Sequence, residues 1–193
     1  MHWIDAIDRL SAFVGKAAGW LIVALTLAVS YEVFVRYVLS SPTTWAYDVS
    51  YMLYGALFML AGAYTLSRNG HVRGDFIYRM LKPRTQAWLD LALYVLFFFP
   101  GITALIYSGY GFAELSWMMK EHSSSSPNGP PLYHFKTLIP VTGAFLFLQG
   151  LAEVARCVVC IRTGAWPRRI HDVQETELEI LASRGAGDEG AKP

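Results

Sequence analysis

Charged residues are scarce in this chain. They make up 16% of its 193 residues, whereas hydrophobic residues make up 54%. Soluble globular proteins carry about 25% charged residues, so this composition argues against one or two soluble domains. The formal net charge is only +1, and the sequence has no basic run with interleaved aromatic residues, so nothing indicates binding to nucleic acid. We therefore expect a membrane protein.

Cysteine and histidine are also scarce. The two cysteines, Cys157 and Cys160, have C-x-x-C spacing, but no second pair or nearby histidine completes a redox or metal site. We interpret them as helix-packing or lipid-facing residues. The five histidines lie outside the long apolar runs, which argues against an intramembrane bis-histidine haem. We expect no metal, no cofactor and no enzymatic activity.

Long apolar runs are what the chain has instead. Each run is about long enough to cross the roughly 30 Å core of a bilayer as a helix. Apolar residues cover all faces of each run rather than one stripe, as in membrane spans. The sequence therefore predicts an all-α membrane protein with a four-helix transmembrane domain over residues 1–166 and a polar, partly disordered cytoplasmic tail over residues 167–193. The four predicted spans are residues 17–38, 49–66, 88–107 and 138–159.

Lysine and arginine are distributed unevenly around these spans. They cluster before the first span, between the second and third, and after the fourth, whereas the short segment after the first span has none. The positive-inside rule then places both termini in the cytoplasm. We also expect short amphipathic surface helices on that side, one in residues 1–16 and one between Asp75 and Pro83. In the first of these, Asp8 is predicted to lie opposite the apolar face.

Two charges interrupt the first span. Glu32 and Arg36 are four residues apart, so on a helix their side chains share one face and can neutralise each other. A charge at the bilayer centre costs about 2.5–3.5 kcal/mol on insertion scales, so we expect both to face protein and to pair. Asp48 begins the second span on the same side, and the three residues are predicted to form a structural ion-pair cluster. The alternative is a proton or ion site, to which a carboxylate held by its own arginine is poorly suited.

The second half of the chain carries three further signals. Pro100 lies within the third span and predicts a kink there. The serine- and proline-rich segment over residues 108–136 is the longest outer segment, and it is either an external contact surface or a flexible connector. In the fourth span, the side predicted to face protein carries Gly143, Gln149, Gly150 and Glu153.

Several short motifs occur together in a familiar order. Glu32, Arg36 and Tyr37 form E-x-x-x-R-Y. The motifs that follow are Pro42 and Trp45 with the acid Asp48, G-A-Y from Gly62 to Tyr64, H-V-R-x-D from His71 to Asp75, W-x-x-x-E-x-S at Trp117, Glu121 and Ser123, P-x-x-G at Pro140 and Gly143, and finally Gln149. Over roughly residues 10–160 this arrangement resembles the small membrane subunit of tripartite ATP-independent periplasmic (TRAP) transporters. The family more often has glutamate at position 48.

The resemblance implies a multi-pass protein of the bacterial inner membrane with two protein partners and surrounding membrane lipids. A large TRAP membrane subunit would carry the solute and sodium sites, and a periplasmic substrate-binding protein would deliver an organic acid to it. The small subunit would stabilise the large one and help to dock the binding protein. Candidate subunit-interface or loop-anchor residues are Trp45, Gly62, Tyr64, His71, Arg73, Asp75, Pro140, Gly143 and Gln149. Candidate docking residues are Trp117, Lys120, Glu121 and Ser123.

A second hypothesis is a self-sufficient four-helix exporter of the small multidrug type. Such proteins also place a glutamate in the first span, but they are shorter, and their glutamate must stand unpaired to exchange protons with a cation. Here Arg36 lies one helical turn from Glu32. The sequence therefore favours the scaffold subunit.

Overall fold

The computed structural model describes residues 2–70, 78, 80–126 and 129–167, and its regular structure is helical. The helices are α1 His2–Gly19, α2 Leu21–Tyr37, α3 Ala46–Ser67, α4 Pro83–Leu93, α5 Phe99–Met119 and α6 Tyr133–Thr163. Within the described residues, four continuous helical stretches are long and apolar enough to cross a bilayer: His2–Tyr37, Ala46–Ser67, Pro83–Met119 and Tyr133–Thr163. The predicted all-α membrane fold with four spans is confirmed. The surface helix predicted after Asp75 and the predicted tail lie outside the described residues.

Individual residues mark the start of α4 and the ends of α5 and α6. Pro83 occupies the first turn of α4, where a missing N–H removes no hydrogen bond. Lys120 ends α5 in the left-handed conformation with φ of 45°, and Gly164 ends α6 with φ of 81°. Glycine tolerates that conformation because it has no Cβ. The end of α5 at Lys120 is followed by a loop that leads to the start of α6 at Tyr133.

The third span is irregular one turn before Pro100. Residues Tyr94–Phe98 form a π-helical turn, and the N–H of Phe99 donates to the carbonyl of Tyr94, five residues back. Proline has no N–H, and its ring clashes with the preceding turn, so the regular ladder cannot continue through this point. The structure thus has an irregularity where the sequence predicts a kink, and its form is a π-helical turn.

α6 is the central helix, with α1, α3, α4 and α5 packed on it. Glycines allow α5 and the π-helical turn to approach closely. A Cβ placed on Gly143 would lie 2.6 Å from Cγ1 of Ile106, and one on Gly150 would lie 2.5 Å from Cε1 of Phe98. Small residues permit such contacts between membrane helices. The predicted inward side of α6 is confirmed, since its members are all buried: Gly143, Gln149, Gly150 and Glu153.

A compact apolar core lies where α3, α4 and α6 meet. Its buried members are Leu66, Ala87, Tyr94, Cys157 and Cys160. Both cysteines are almost completely buried there, and Sγ of Cys160 lies 3.5 Å from the carbonyl oxygen of Pro83. Of the two roles predicted for the cysteines, the structure supports helix packing.

α1 differs from the predicted surface helix in what it buries. Its buried positions are Ile4, Asp8, Ser11, Gly15 and Ala18, whereas Trp3, Leu10 and Phe13 are exposed. Asp8 lies opposite these exposed apolar side chains, as predicted, but it is buried inside the bundle and not on the outer side of a surface helix. The physical reason is that Asp8 finds a basic partner on α6, while apolar side chains on the outer face can contact lipid.

Candidate functional site

The Glu32–Arg36 pair lies at the end of α2. Nη2 and Nε of Arg36 donate to Oε1 of Glu32 at 2.6 and 2.9 Å. The other carboxylate oxygen accepts from the backbone N–H of Thr43 at 3.2 Å and from its hydroxyl at 2.5 Å. Arg36 is 52% exposed and Glu32 only 13%. The predicted pairing is present, but Arg36 does not face protein within this chain. Glu32 also ties the α2–α3 turn to α2.

Asp48 does not join this pair. Its side chain is 3% exposed, Oδ1 accepts from the hydroxyl of Ser123 at 2.6 Å, and Oδ2 has no hydrogen-bond partner. The predicted three-membered cluster is therefore corrected to a pair and a separate contact. The reason is geometric: the guanidinium is held against Glu32, whereas Asp48 in the first turn of α3 lies against the loop that follows α5.

That loop, which we call the serine loop, comprises residues 120–132 and is described except for residues 127 and 128. Its two sides are joined by backbone hydrogen bonds. The N–H of Leu132 donates to the carbonyl of Glu121 at 2.9 Å, and that of Ser123 to the carbonyl of Pro130 at 3.0 Å. This geometry argues against a flexible connector, and the contact surface stays a prediction. We call the end of the bundle that carries it the Ser123 end.

Glu121 and Lys136 join the serine loop to α6. Nζ of Lys136 lies 2.5 Å from Oε2 of Glu121 and 3.9 Å from the ring centroid of Phe112. The hydrogen bond from Lys136 lowers the pKa of the Glu121 carboxyl below its ordinary value of 4.5. The carboxylate is therefore ionised at neutral pH and can hold the ammonium group.

We expect Glu121→Gln to lower the thermal midpoint of the chain at pH 7, because the variant lacks the ion pair. A pKa lowered in the folded state means that the contribution is fully present above 4.5 and is lost as the pH falls through the lowered pKa. The midpoints of wild type and variant, measured in detergent, should therefore converge in acid. Glu114→Gln, at an exposed acid on α5, removes the same charge and is the matched control that should follow wild type throughout. A difference that persists unchanged in acid would rule out this pair as its source.

The candidate docking residues Trp117, Lys120, Glu121 and Ser123 lie together at the Ser123 end. The indole N–H of Trp117 donates to the hydroxyl of Thr137 at 2.8 Å, and its ring centroid lies 4.5 Å from that of Tyr133. Lys120 is exposed and ends α5. The sequence prediction thus groups residues that the structure also brings together.

A second polar cluster, the Arg156 cluster, joins α1 to α6 and was not identified as a site from the sequence pattern. Arg156 bonds to Asp8 through Nη2 and to Glu153 through Nη1. The amide of Gln149 donates to Oδ1 of Asp8 at 2.9 Å and accepts from the hydroxyl of Ser11 at 2.9 Å. All five residues are 6% exposed or less. The cluster is therefore an internal connection between two helices.

Part of this cluster is visible in the sequence as helical spacing. Gln149, Glu153 and Arg156 stand at i, i+4 and i+7, which places them on one face of α6. The spacing does not reveal that α1 supplies the partner. Gln149, a candidate interface residue, is instead completely buried within this chain, where its amide is hydrogen-bonded to Asp8 and Ser11.

Three other candidates also make contacts inside the chain. Tyr64 lies against Gly15 of α1, where a Cβ would be 2.3 Å from Cβ of the tyrosine. A Cβ on Gly62 would lie 3.7 Å from Cδ2 of Leu146, which is an ordinary van der Waals distance. Pro140 packs beside Gly109. These residues fix helix contacts within the bundle.

Trp45 differs from them because 43% of it is exposed. Its ring stacks on that of Tyr31 with centroids 6.1 Å apart. The position at the start of α3 suits a ring at the boundary of lipid and water. His71, Arg73 and Asp75 lie outside the described residues. Among the described residues, no three His, Cys, Asp or Glu side chains are grouped so that they could hold a metal ion.

The chain was compared with known proteins. The family model described as "Tripartite ATP-independent periplasmic transporters, DctQ component" matches residues 25–160. The match extends from within α2 almost to the end of α6, so it includes the Glu32–Arg36 pair and the Asp48–Ser123 contact. A search of curated proteins gives no match. Because the family match covers well over half of the sequence, the chain belongs to the DctQ family, the small membrane component of TRAP transporters, and is a transporter component rather than an enzyme.

Proposed function

We propose that this chain is the scaffold subunit of a sodium-coupled TRAP transporter that takes up an organic acid. DctQ proteins work in tripartite transporters with a large membrane component and a periplasmic binding protein. In this proposal the large subunit carries the solute and sodium. The present chain stabilises that subunit in the bacterial inner membrane and supplies part of the surface on which the binding protein docks.

The observation that carries this proposal concerns the part of the chain that the structure describes, where the buried acids are bonded to side chains of the chain itself. Ion-coupled transport requires a carboxylate that can exchange its proton or cation with water, and a carboxylate with fixed internal partners is poorly suited to that. The buried acids and their partners are Asp8 with Arg156 and Gln149, Glu153 with Arg156, Asp48 with Ser123, and Asp90 with the hydroxyl of Tyr78. This arrangement favours a static platform.

Glu32 supports the same conclusion against the exporter hypothesis. An exporter of the small multidrug type needs an unpaired glutamate in its first span. Both carboxylate oxygens of Glu32 are bonded, one to Arg36 and the other to Thr43. A glutamate that stabilises a turn in this way is a structural residue.

The orientation in the membrane follows from the distribution of charge. The end of the bundle opposite the Ser123 end carries Arg68, Lys82, Arg84 and Arg162, and the positive-inside rule favours the cytoplasm for it. The Ser123 end then faces the periplasm. This orientation gives the serine loop access to a soluble periplasmic partner.

Large apolar surfaces suit contact with lipids and with a large membrane subunit. Val35 is the one buried residue of α2, and α5 buries three small residues, Gly109, Ala113 and Ser116. Most large apolar side chains of both helices are exposed. In a bilayer this surface contacts acyl chains or apolar helices of a partner.

Reconstitution into proteoliposomes tests the proposed function. The chain alone should transport nothing, whereas the chain with its large subunit and binding protein should take up solute when a sodium gradient is imposed. Glu32→Gln removes the charge that holds Arg36, so we expect a several-fold lower yield of complex with the large subunit. Glu114→Gln, at an exposed acid on α5, is the matched control and should assemble normally. Cation–proton exchange by the chain alone, abolished by Glu32→Gln, would instead establish the exporter.

A further inference from the structure

Ser123 is the residue on which the hydrogen bonds of the serine loop converge. Its hydroxyl donates to Oδ1 of Asp48 at 2.6 Å and accepts from the N–H of Ser125 at 3.2 Å. Its own N–H donates to the carbonyl of Pro130 at 3.0 Å. One serine therefore joins the first turn of α3 to both sides of a loop that lies between α5 and α6.

Ser123 forms part of the wall of a cavity in the loop. The cavity has a volume of about 570 Å³, opens to the surface, and is lined by His122, Ser123, Ser126, Gly129, Pro130 and Pro131. The backbone at Gly129 passes so close to Ser123 that a Cβ there would lie 2.4 Å from its carbonyl oxygen. A displacement of Ser123 would therefore change the wall of the cavity.

Asp48 is an unusual choice for a residue that merely attaches a loop. A buried carboxylate is costly unless it is fully bonded, yet its Oδ2 has no hydrogen-bond partner. What the carboxylate provides is a charge-assisted hydrogen bond, which is roughly twice as strong as a neutral one. This bond holds Ser123 firmly even though residues 124–131 of the loop are all serine, proline, asparagine or glycine.

We propose that Asp48 is a positioning residue for the docking surface and that it acts through Ser123. The inference rests on the proposed function, in which the Ser123 end faces the periplasm. The partner is the periplasmic binding protein rather than the large subunit, because hydroxyl groups, an imidazole and prolines line this cavity, whereas the exposed sides of α2 and α5 are apolar. A cavity of mixed polar and apolar lining suits a water-soluble protein. An apolar helix face suits lipid or another membrane subunit.

The advantage of holding the loop before the partner arrives is preorganisation. A loop that is already ordered loses less conformational freedom on binding, so more of the contact energy appears as affinity. Loss of one hydrogen bond to a charged group would weaken binding by about tenfold. The maximal rate of transport should not change, because the large subunit moves the solute.

The experiment measures uptake into proteoliposomes as the concentration of the cognate binding protein is varied. Ser123→Val, which lacks the hydroxyl and has the shape of the Ser123→Thr control, should raise the concentration for half-maximal uptake about tenfold at an unchanged maximal rate. Ser123→Thr keeps the hydroxyl and should behave like wild type. Ser124→Val, at the exposed neighbouring serine, is the matched control and should also behave like wild type. Asp48→Asn keeps an acceptor but loses the charge, so a smaller rise is expected, and this variant provides the test if Ser123→Val does not assemble.

The other outcomes separate this inference from the proposed function. Unchanged half-maximal concentrations in the variants would overturn the role of Asp48 while leaving the scaffold in place. A lower maximal rate or a lower yield of complex, without a change in half-maximal concentration, would also overturn it, because the contact would then be structural only. If uptake by the wild-type transporter did not depend on the binding protein, the proposed function itself would fail.

Discussion

Arg156→Met should lower the free energy of unfolding by about 3–5 kcal/mol, the range found when one partner of a buried ion pair is removed. The guanidinium bonds to carboxylates on two different helices, Asp8 on α1 and Glu153 on α6. In the variant both carboxylates remain buried without the guanidinium group. Asp8 keeps the amide of Gln149 as its partner. The contact of α1 with α6 should weaken first.

The measurement is thermal unfolding of the purified chain in detergent. For a chain of this size, each kcal/mol corresponds to about 2–4 °C, so the midpoint should fall by roughly 10 °C. Arg162→Met, at an exposed arginine on the same helix, is the matched control and should leave the midpoint within about 2 °C of wild type. Combining Arg156→Met with Asp8→Asn and Glu153→Gln should restore much of the loss, because the buried charges are then removed together. Equal losses in the two arginine variants would contradict a specific role for the cluster.

The membrane fold could be predicted from the sequence because its signals are local. A run of apolar residues is itself the condition for a helix to be stable in lipid, and Pro100 disturbs the helix in which it stands. The pairing of Glu32 with Arg36 depends only on a separation of four residues on one helix. In each case, neighbouring residues carry the information.

The partners of buried polar groups could not be predicted in this way. Asp8 and Arg156 are 148 positions apart, and Asp48 and Ser123 are 75 apart. A polar side chain in a span indicates that a partner is needed, but many helix arrangements could provide one. The sequence pattern therefore points from Asp48 to the nearest arginine, Arg36, although its partner is Ser123 in the loop after α5.

The orientation of α1 illustrates the same limit. In water, the apolar side of an amphipathic helix faces the protein. Beside lipid, apolar side chains can remain outside, and polar side chains gain most by facing inward, where Asp8 meets Arg156. The pattern predicts two faces for α1, whereas the surroundings decide which of them is buried.

Gly15→Ala should weaken the contact between α1 and α3 and destabilise the chain by about 1–3 kcal/mol, as expected for overpacking. A methyl group at this position would lie 2.3 Å from Cβ and 2.6 Å from Cγ of Tyr64. The Cβ of Tyr64 is fixed to the backbone of α3, so a change of rotamer cannot remove the clash. The helices themselves must move apart.

Gly19→Ala is the matched control, since it is the same substitution one helical turn further along α1. A Cβ at Gly19 would meet nothing within 4 Å, so this variant should be neutral, or stabilised by up to about 1 kcal/mol through the better helix propensity of alanine. Thermal midpoints in detergent should therefore move in opposite directions or differ by several degrees. Equal midpoints would show that α1 does not rest on Tyr64. The expected difference would assign the tyrosine of the G-A-Y motif to holding α1 inside the scaffold, which leaves the exposed faces of α2 and α5 for contact with the large subunit.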